Sequence, residues 1–192
     1  MGRQANPPER GQVVVVPSIG SSMKNELVIK IEPLSAETFA EFGEILEPRE
    51  VPNFRLPTKD LHRFPWTTDA PTMVQILSFK PQPMLPVRLE RHSHVTESRM
   101  HIGGSSAVLV VAPPTVARPG PSDIRAFELR GQGIMLKKGT WHSPDAYPTG
   151  EQPSQFLFLS DKETQAELFD NPSETPKRTE YTDISASNIR LV

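Results

Sequence analysis

The sequence predicts an all-β fold, an antiparallel β-barrel or jelly roll with one or two short helices. Three observations carry this. The 21 prolines among 192 residues are more than twice the usual share of about 5%, and each removes a backbone donor and interrupts a helix interior. Short segments rich in β-branched and aromatic residues recur along the chain, bounded by turn residues. The longest apolar run, Ala107–Ala112, has strand length and is far short of the roughly 20 residues that span a bilayer.

Each element can be justified in turn. Residues 1–22 are rich in Pro, Gly and Ser around one valine run and read as an N-terminal tail, with the valines able to dock as an edge strand. Met23 is an alternative start. Leu27–Ile31 reads as a strand. Residues 35–42 then read as a short helix with Ser35 as N-cap and Gly43 placed to end it. Residues 47–71 hold five prolines and predict a long irregular loop. Strands are expected at Met73–Lys80, Val87–His94, Arg99–Ile102, Ser106–Val111, Asp123–Glu128, Gly133–Leu136 and Gln155–Ser160, followed by a helical turn at Thr164–Phe169. Asn171–Val192 is polar, with two prolines, and reads as a C-terminal tail. One domain over residues 23–170 results.

Composition excludes several classes. With no cysteine there is no disulfide scaffold, thiolate zinc site or cysteine nucleophile; a reducing, cytoplasmic setting is the expectation. A net charge of -2 gives no basic footprint for nucleic acid. No membrane segment is expected, and Pro17 interrupts the valine run well before it could serve as a signal-peptide core.

The chemistry concentrates in the histidines: His62, His92, His94, His101 and His142. Imidazole is the commonest protein metal ligand. His92 and His94 stand two apart and would share a strand face. Glu97 has the opposite parity and joins them only if the chain turns or bulges near Thr96–Ser98. Arg99 and His101 share the parity of Glu97 and face either the pocket or the outside. His62 lies in the proline-bearing loop and reads as incidental.

The segment Gly131-x5-Lys137-x-Gly139-x2-His142 resembles the second motif of cupins, in which a Gly-x5-Pro-x-Gly-x2-His run delivers one histidine into a small β-barrel. His92-x-His94-x2-Glu97-x5-Gly103 resembles the first motif, with shortened spacing before the glutamate. Leu89-Glu90-Arg91-His92, Ile102-Gly103-Gly104, Val108–Ala112, Arg125-Ala126-Phe127, Gly131-Gln132-Gly133 and Gly139-Thr140-Trp141-His142-x-Pro144 together are similar to the ureidoglycolate lyase family. This is a cupin-fold family of purine (allantoin) catabolism. The opening Pro33-Leu34-Ser35-x3-Phe39-x2-Phe42-Gly43 is similar to that family's start, and the likeness covers roughly residues 31–162. It departs at several positions. The family has Gln where this chain has Glu97, a second His where it has Ser143, and Tyr-His-Arg where it has Leu136-Lys137-Lys138. Its Asn-x-Gly segment is only faintly echoed by Asn53-Phe54-Arg55.

The resemblance implies a cupin-like barrel, a homodimer, and a C–N lyase that splits ureidoglycolate into glyoxylate and urea. Such chemistry needs a group to take the hydroxyl proton and an acid for the departing nitrogen. It also needs a cation or metal for the carboxylate. His92, Glu97 and His142 are the candidates for a metal-binding or acid–base cluster, with His94 as a fourth ligand. Lys137 is a candidate catalytic cation. Lys138, Lys80, Arg99 and His101 are candidate substrate-binding residues, and Glu90-Arg91 a candidate support for His92. Ni, Zn, Mn and Fe all suit mixed imidazole and carboxylate ligation; no organic cofactor is expected. The rival readings are a metal-dependent cupin oxygenase, isomerase or cyclase acting on another small molecule, and a non-catalytic small-molecule binder.

Overall fold

A computed structural model describes residues 14–16, 26–172 and 174–192. Of the expected N-terminal tail only Val14–Val16 falls among them; it pairs antiparallel with Glu26–Ile29. Two sheets face each other. One has the strand order Thr179–Asp183, Arg88–His92, Trp141–His142, Ala107–Ala112, Arg125–Leu129, Ile31–Pro33, with Tyr147–Pro148 also on Ala107–Ala112. The other has the order Gly43–Ile45, Gly133–Leu136, Ser98–Gly104, Ser154–Asp161, Thr72–Phe79. Among the described residues helix is confined to short pieces at Ala36–Phe39 and Lys162–Gln165, a wide turn at Ala166–Asp170 and two one-turn 3-10 segments. The all-β barrel read from the sequence is the architecture found. Among the described residues no helix is long and apolar enough to cross a membrane.

Ala107–Ala112 is buried at every position because it has a core on each face. Ala107, Leu109 and Val111 point between the two sheets with Phe39, Phe42, Phe127, Leu136 and Phe156. Val108, Val110 and Ala112 point the other way, against Leu27, Ile29, Trp141, Ile189 and Leu191. The second layer is a small sheet in which Glu26–Ile29 lies beside Ile189–Leu191, in parallel. Strand alternation thus splits one apolar run between two cores.

Several boundaries differ from expectation. Leu27–Ile31 is two strands, broken at exposed Lys30; the second, Ile31–Pro33, crosses to the large sheet. The loop 47–71 contains a hairpin, Phe54–Leu56 with Lys59–Leu61. The segment 171–192 is no loose tail. Thr179–Asp183 pairs along the whole of Arg88–His92, and Ile184, Ile189 and Leu191 are buried in the outer core. The expected helix is realised over Ala36–Phe39, with the Ser35 hydroxyl accepting from Thr38 N–H. Gly43 then lies so close to the next strand that a Cβ there would sit 2.2 Å from the Met135 carbonyl oxygen.

Candidate active site

Arg88–His92 alternates across its sheet. Leu89 packs in the outer core and Arg91 lies over the Trp141 ring, 4.5 Å from its centroid. Glu90 and His92 therefore face the barrel interior. Trp141–His142 pairs beside them, placing His142 opposite Glu90 in register and, on its other side, opposite Val111 of the inner core. Gly139 makes the preceding turn at φ +78, a conformation that favours glycine, and its N–H donates to the His92 carbonyl. After His92 the strand ends. The chain bends through Ser93 and His94, and the next strand begins at Ser98, so Glu97 is swung inward.

Four side chains converge. His92 Nε2 lies 3.8 Å from Glu90 Oε1 and 3.6 Å from Glu97 Oε2. His142 Nε2 lies 3.7 Å from Glu90 Oε1 and 3.5 Å from Glu97 Oε2. All these side chains are at most 8% exposed. Among the described residues neither Nε2 finds a hydrogen-bond partner, so two buried polar atoms aim at one point, a costly arrangement unless something fills it. Ligand atoms of Glu90, His92 and His142 all lie within 4.8 Å of one another. Ligands around a tetrahedral ion with bonds of ~2.1 Å stand about 3.4 Å apart, close to the spacing here. The donor set fits one divalent cation.

Arg99 completes the cluster. Its Nε donates to Glu97 Oε1 at 2.6 Å, and its guanidinium lies 5.6 Å from the Phe158 ring centroid. Its Nη1 is buried without a partner among the described residues. Burial opposes the Glu97 charge, but the Arg99 guanidinium and then His142 overcome it and hold that carboxyl well below its usual range. For Glu90 burial outweighs the pull of His142 and pushes it up. Burial, then His142, lowers His92 to about 4. For His142 the pull of Glu97 outweighs burial and raises it. The His142 Nδ1–H donates to the Thr140 carbonyl at 3.0 Å. A carbonyl can only accept, so in neutral His142 the lone pair is on Nε2, facing the cluster.

The sequence candidates divide sharply. His92, Glu97, His142 and Arg99 come together. His94 does not: the strand ends at His92, parity is lost, and its Nδ1 meets Asp69 Oδ2 at 2.8 Å on the rim. Lys137 is exposed and reaches the end of the helix Ala36–Phe39, where Nζ donates to the Ala40 carbonyl at 2.6 Å. Lys138 and Lys80 are exposed and stand outside the buried cluster. His101 faces inward with Arg99, but its Nε2–H is spent on the Ser105 carbonyl at 2.9 Å. Glu90, read from the sequence only as support for His92, stands in the cluster itself; its two-residue offset from His92 is the signal that places it there.

Comparison with known proteins gives the family. The family model for ureidoglycolate lyase matches residues 26–177. A ureidoglycolate lyase of Azotobacter vinelandii is 33% identical over 127 residues, 61% of this chain and 76% of that protein. One of Stutzerimonas stutzeri is 32% identical over 141 residues, 68% of this chain and 81% of that protein. Ureidoglycolate lyase 2 of Rhizobium meliloti is 28% identical over 163 residues, 80% of this chain and 98% of that protein. Among solved structures, oxalate decarboxylase of Bacillus subtilis overlays at TM-score 0.35 with 14% identity, over 59% of this chain and 34% of that one. That overlay is too loose to bear on the site.

Proposed function

The chain belongs to the ureidoglycolate lyase family, and from that premise we propose that it cleaves ureidoglycolate to glyoxylate and urea inside the barrel. The observation that carries the assignment of the site is the buried convergence of two bare imidazole nitrogens and two carboxylates beside an arginine with a free N–H.

In this reading Glu90, His92 and His142 hold one divalent ion, and two imidazoles with one carboxylate suit Ni, Zn, Mn or Fe alike. Three protein ligands leave a position open, as catalytic sites require. When bound, the ion supplies a Lewis acid for the substrate's hydroxyl oxygen. Arg99 Nη1 holds the substrate carboxylate by a charge-assisted hydrogen bond. Glu97 Oε2 moves the proton. It takes it from the hydroxyl as the C=O forms, and gives it to the ureido nitrogen as the C–N bond breaks and that nitrogen keeps the electron pair. No redox change occurs. The carboxylate drawn onto Arg99 also weakens the Arg99–Glu97 pair, which raises the basicity of Glu97 when substrate is present. A homodimer, resting on the family resemblance, and a cytoplasmic setting, resting on the absence of cysteine, complete the reading; light scattering on the purified protein checks the first.

The test is turnover of racemic ureidoglycolate with glyoxylate, urea and ammonia assayed together. Glyoxylate and urea in equal amounts are expected. Ammonia in place of urea would make the protein an amidohydrolase. No product from folded protein loaded in turn with Ni, Zn, Mn and Fe would overturn the reading. The alternative of a metal-dependent reaction on another small molecule draws on the paired histidines with Glu97 beside them; bound redox-active iron without urea release would select it.

A further inference from the structure

Arg99 begins a row of side chains that runs across the second sheet. Phe158 stands opposite Arg99 in register, and Gln75 stands opposite Phe158. Residues directly opposite one another share a face of the sheet, so Gln75 faces the barrel interior with Arg99. Its own strand agrees, since Leu77 and Phe79, at the same parity, pack against the inner core. Gln75 is thus a primary amide set among the apolar inward residues Met73, Leu77 and Phe79, and it keeps partial exposure there.

A second amide meets it. Gln165 ends the short helix Lys162–Gln165 that follows Ser154–Asp161, and it is 4% exposed. Gln75 Nε2 donates to Gln165 Oε1 at 2.8 Å. Gln75 Oε1 and Gln165 Nε2 have no hydrogen-bond partner among the described residues. Exchanging oxygen and nitrogen in both side chains changes nothing in this respect: one carbonyl oxygen and one NH2 group stay free. The pair therefore presents an acceptor and a donor together, the complement of a group that carries C=O beside NH2. Amides left short of partners in a largely apolar setting are costly, which is the mark of a pair kept for something that binds.

The other end of the row is the buried Arg99 Nη1, also without a partner among the described residues. Phe158 lies between the two ends, its ring centroid 5.6 Å from the guanidinium. Two strand spacings of about 4.8 Å separate Gln75 from Arg99, about 10 Å at the backbone. Ureidoglycolate spans about 6 Å from carboxylate to terminal nitrogen at ordinary bond lengths, and a hydrogen bond of about 3 Å at each end brings it to that scale.

We propose that Gln75 and Gln165 are the ureido-recognising end of the substrate site, an amide pair that reads the terminal CO–NH2 group while Arg99 holds the carboxylate across Phe158. Both set specificity, and neither moves a proton. The proposal rests on the lyase reading for the identity of the ligand.

Two unreactive probes test it. N-carbamoylglycine has the carboxylate and the ureido group but no hydroxyl to deprotonate. N-acetylglycine is the same molecule with methyl in place of the terminal NH2. Calorimetry on the purified protein should show N-carbamoylglycine binding at least tenfold more tightly, since a site built to pair an N–H rejects the analogue that lacks it. In the double variant Gln75→Leu/Gln165→Leu, which leaves no amide unpaired in the fold, that preference is expected to vanish while N-acetylglycine binds as before. In the same variant KM for ureidoglycolate should rise at least tenfold with kcat much less affected. Equal binding of the two probes by the wild type, or no binding of N-carbamoylglycine, overturns the proposal whether or not the variant folds. So does a preference that survives in the folded double variant; the two glutamines then only tie the helix to the strand. Glyoxylate and urea released by a protein that does not tell the probes apart leave the lyase reading standing without this subsite. A tenfold preference, lost in the double variant, in a protein that releases no urea leaves the subsite standing without the lyase reading.

Discussion

Glu90 and His92 share a face because they are two residues apart on one strand, and His142 is delivered across from Glu90 by strand pairing. Removing either histidine should remove activity while leaving the protein folded, so His92→Ala and His142→Ala are expected to release no glyoxylate at unchanged circular dichroism. Glu90→Gln tests the residue that sequence reading left in a supporting role; Zn²⁺ or Ni²⁺ affinity, measured by calorimetry, should fall at least tenfold. A pH effect follows from His92, held at about 4 chiefly by burial, against an unfolded value near 6.5. The unfolded chain takes up the proton first, so the contribution of this residue to stability is intact above about 6.5 and drains away as pH falls toward 4. Relative to His92→Gln, metal-free protein should lose melting temperature as pH falls across that window. Glu90 was legible by parity alone. His94 misled for a related reason: alternation is informative only while the strand lasts, and this one ends at His92.

The element that delivers His142 is short, and so is its neighbour on Ala107–Ala112. Trp141–His142 and Tyr147–Pro148 have two residues each, too few for a period-2 pattern to be recognised, whereas the longer strands Thr72–Phe79 and Ser154–Asp161 show theirs. The turn before Trp141 was legible because glycine marks it. Gly139→Ala should cost on the order of 1 kcal/mol from its left-handed backbone; a Cβ there would meet nothing closer than 3.8 Å, so the loss is conformational and not steric. Denaturant melts measure it. Lys137 belongs to the same turn but ties it to the end of helix Ala36–Phe39 through the Ala40 carbonyl. Lys137→Met should therefore lower stability by less than about 1 kcal/mol and leave kcat and KM where they are; a kcat loss of tenfold or more would return that lysine to the chemistry.

At the scale of the whole molecule, the two-sheet barrel was readable from recurrent strand segments and proline content, but its outer layer was not. Ile184, Ile189 and Leu191 are scattered through a polar stretch, and what makes them core is the partner they meet, Leu27 and Ile29, which no local pattern reveals. Truncating one of them shows the difference between a tail and a layer. Leu191→Ala should destabilise the fold by about 2–4 kcal/mol, read as a fall in denaturation midpoint with the far-ultraviolet spectrum of the native state preserved.

The parallel pairing of Ile189–Leu191 with Glu26–Ile29 joins stretches about 160 residues apart in the chain, and such a closure spends entropy before any contact repays it. The facing sheets hold hairpins and near neighbours that can zip early; the cover over Trp141 cannot. A refolding chain should thus regain strand signal first and quench or shift its indole fluorescence afterwards, with a slow phase that Leu191→Ala lengthens. During that interval the barrel exists half-clad, its apolar back bare to any other chain in the same condition, and crowding at that moment decides between a native yield and a precipitate.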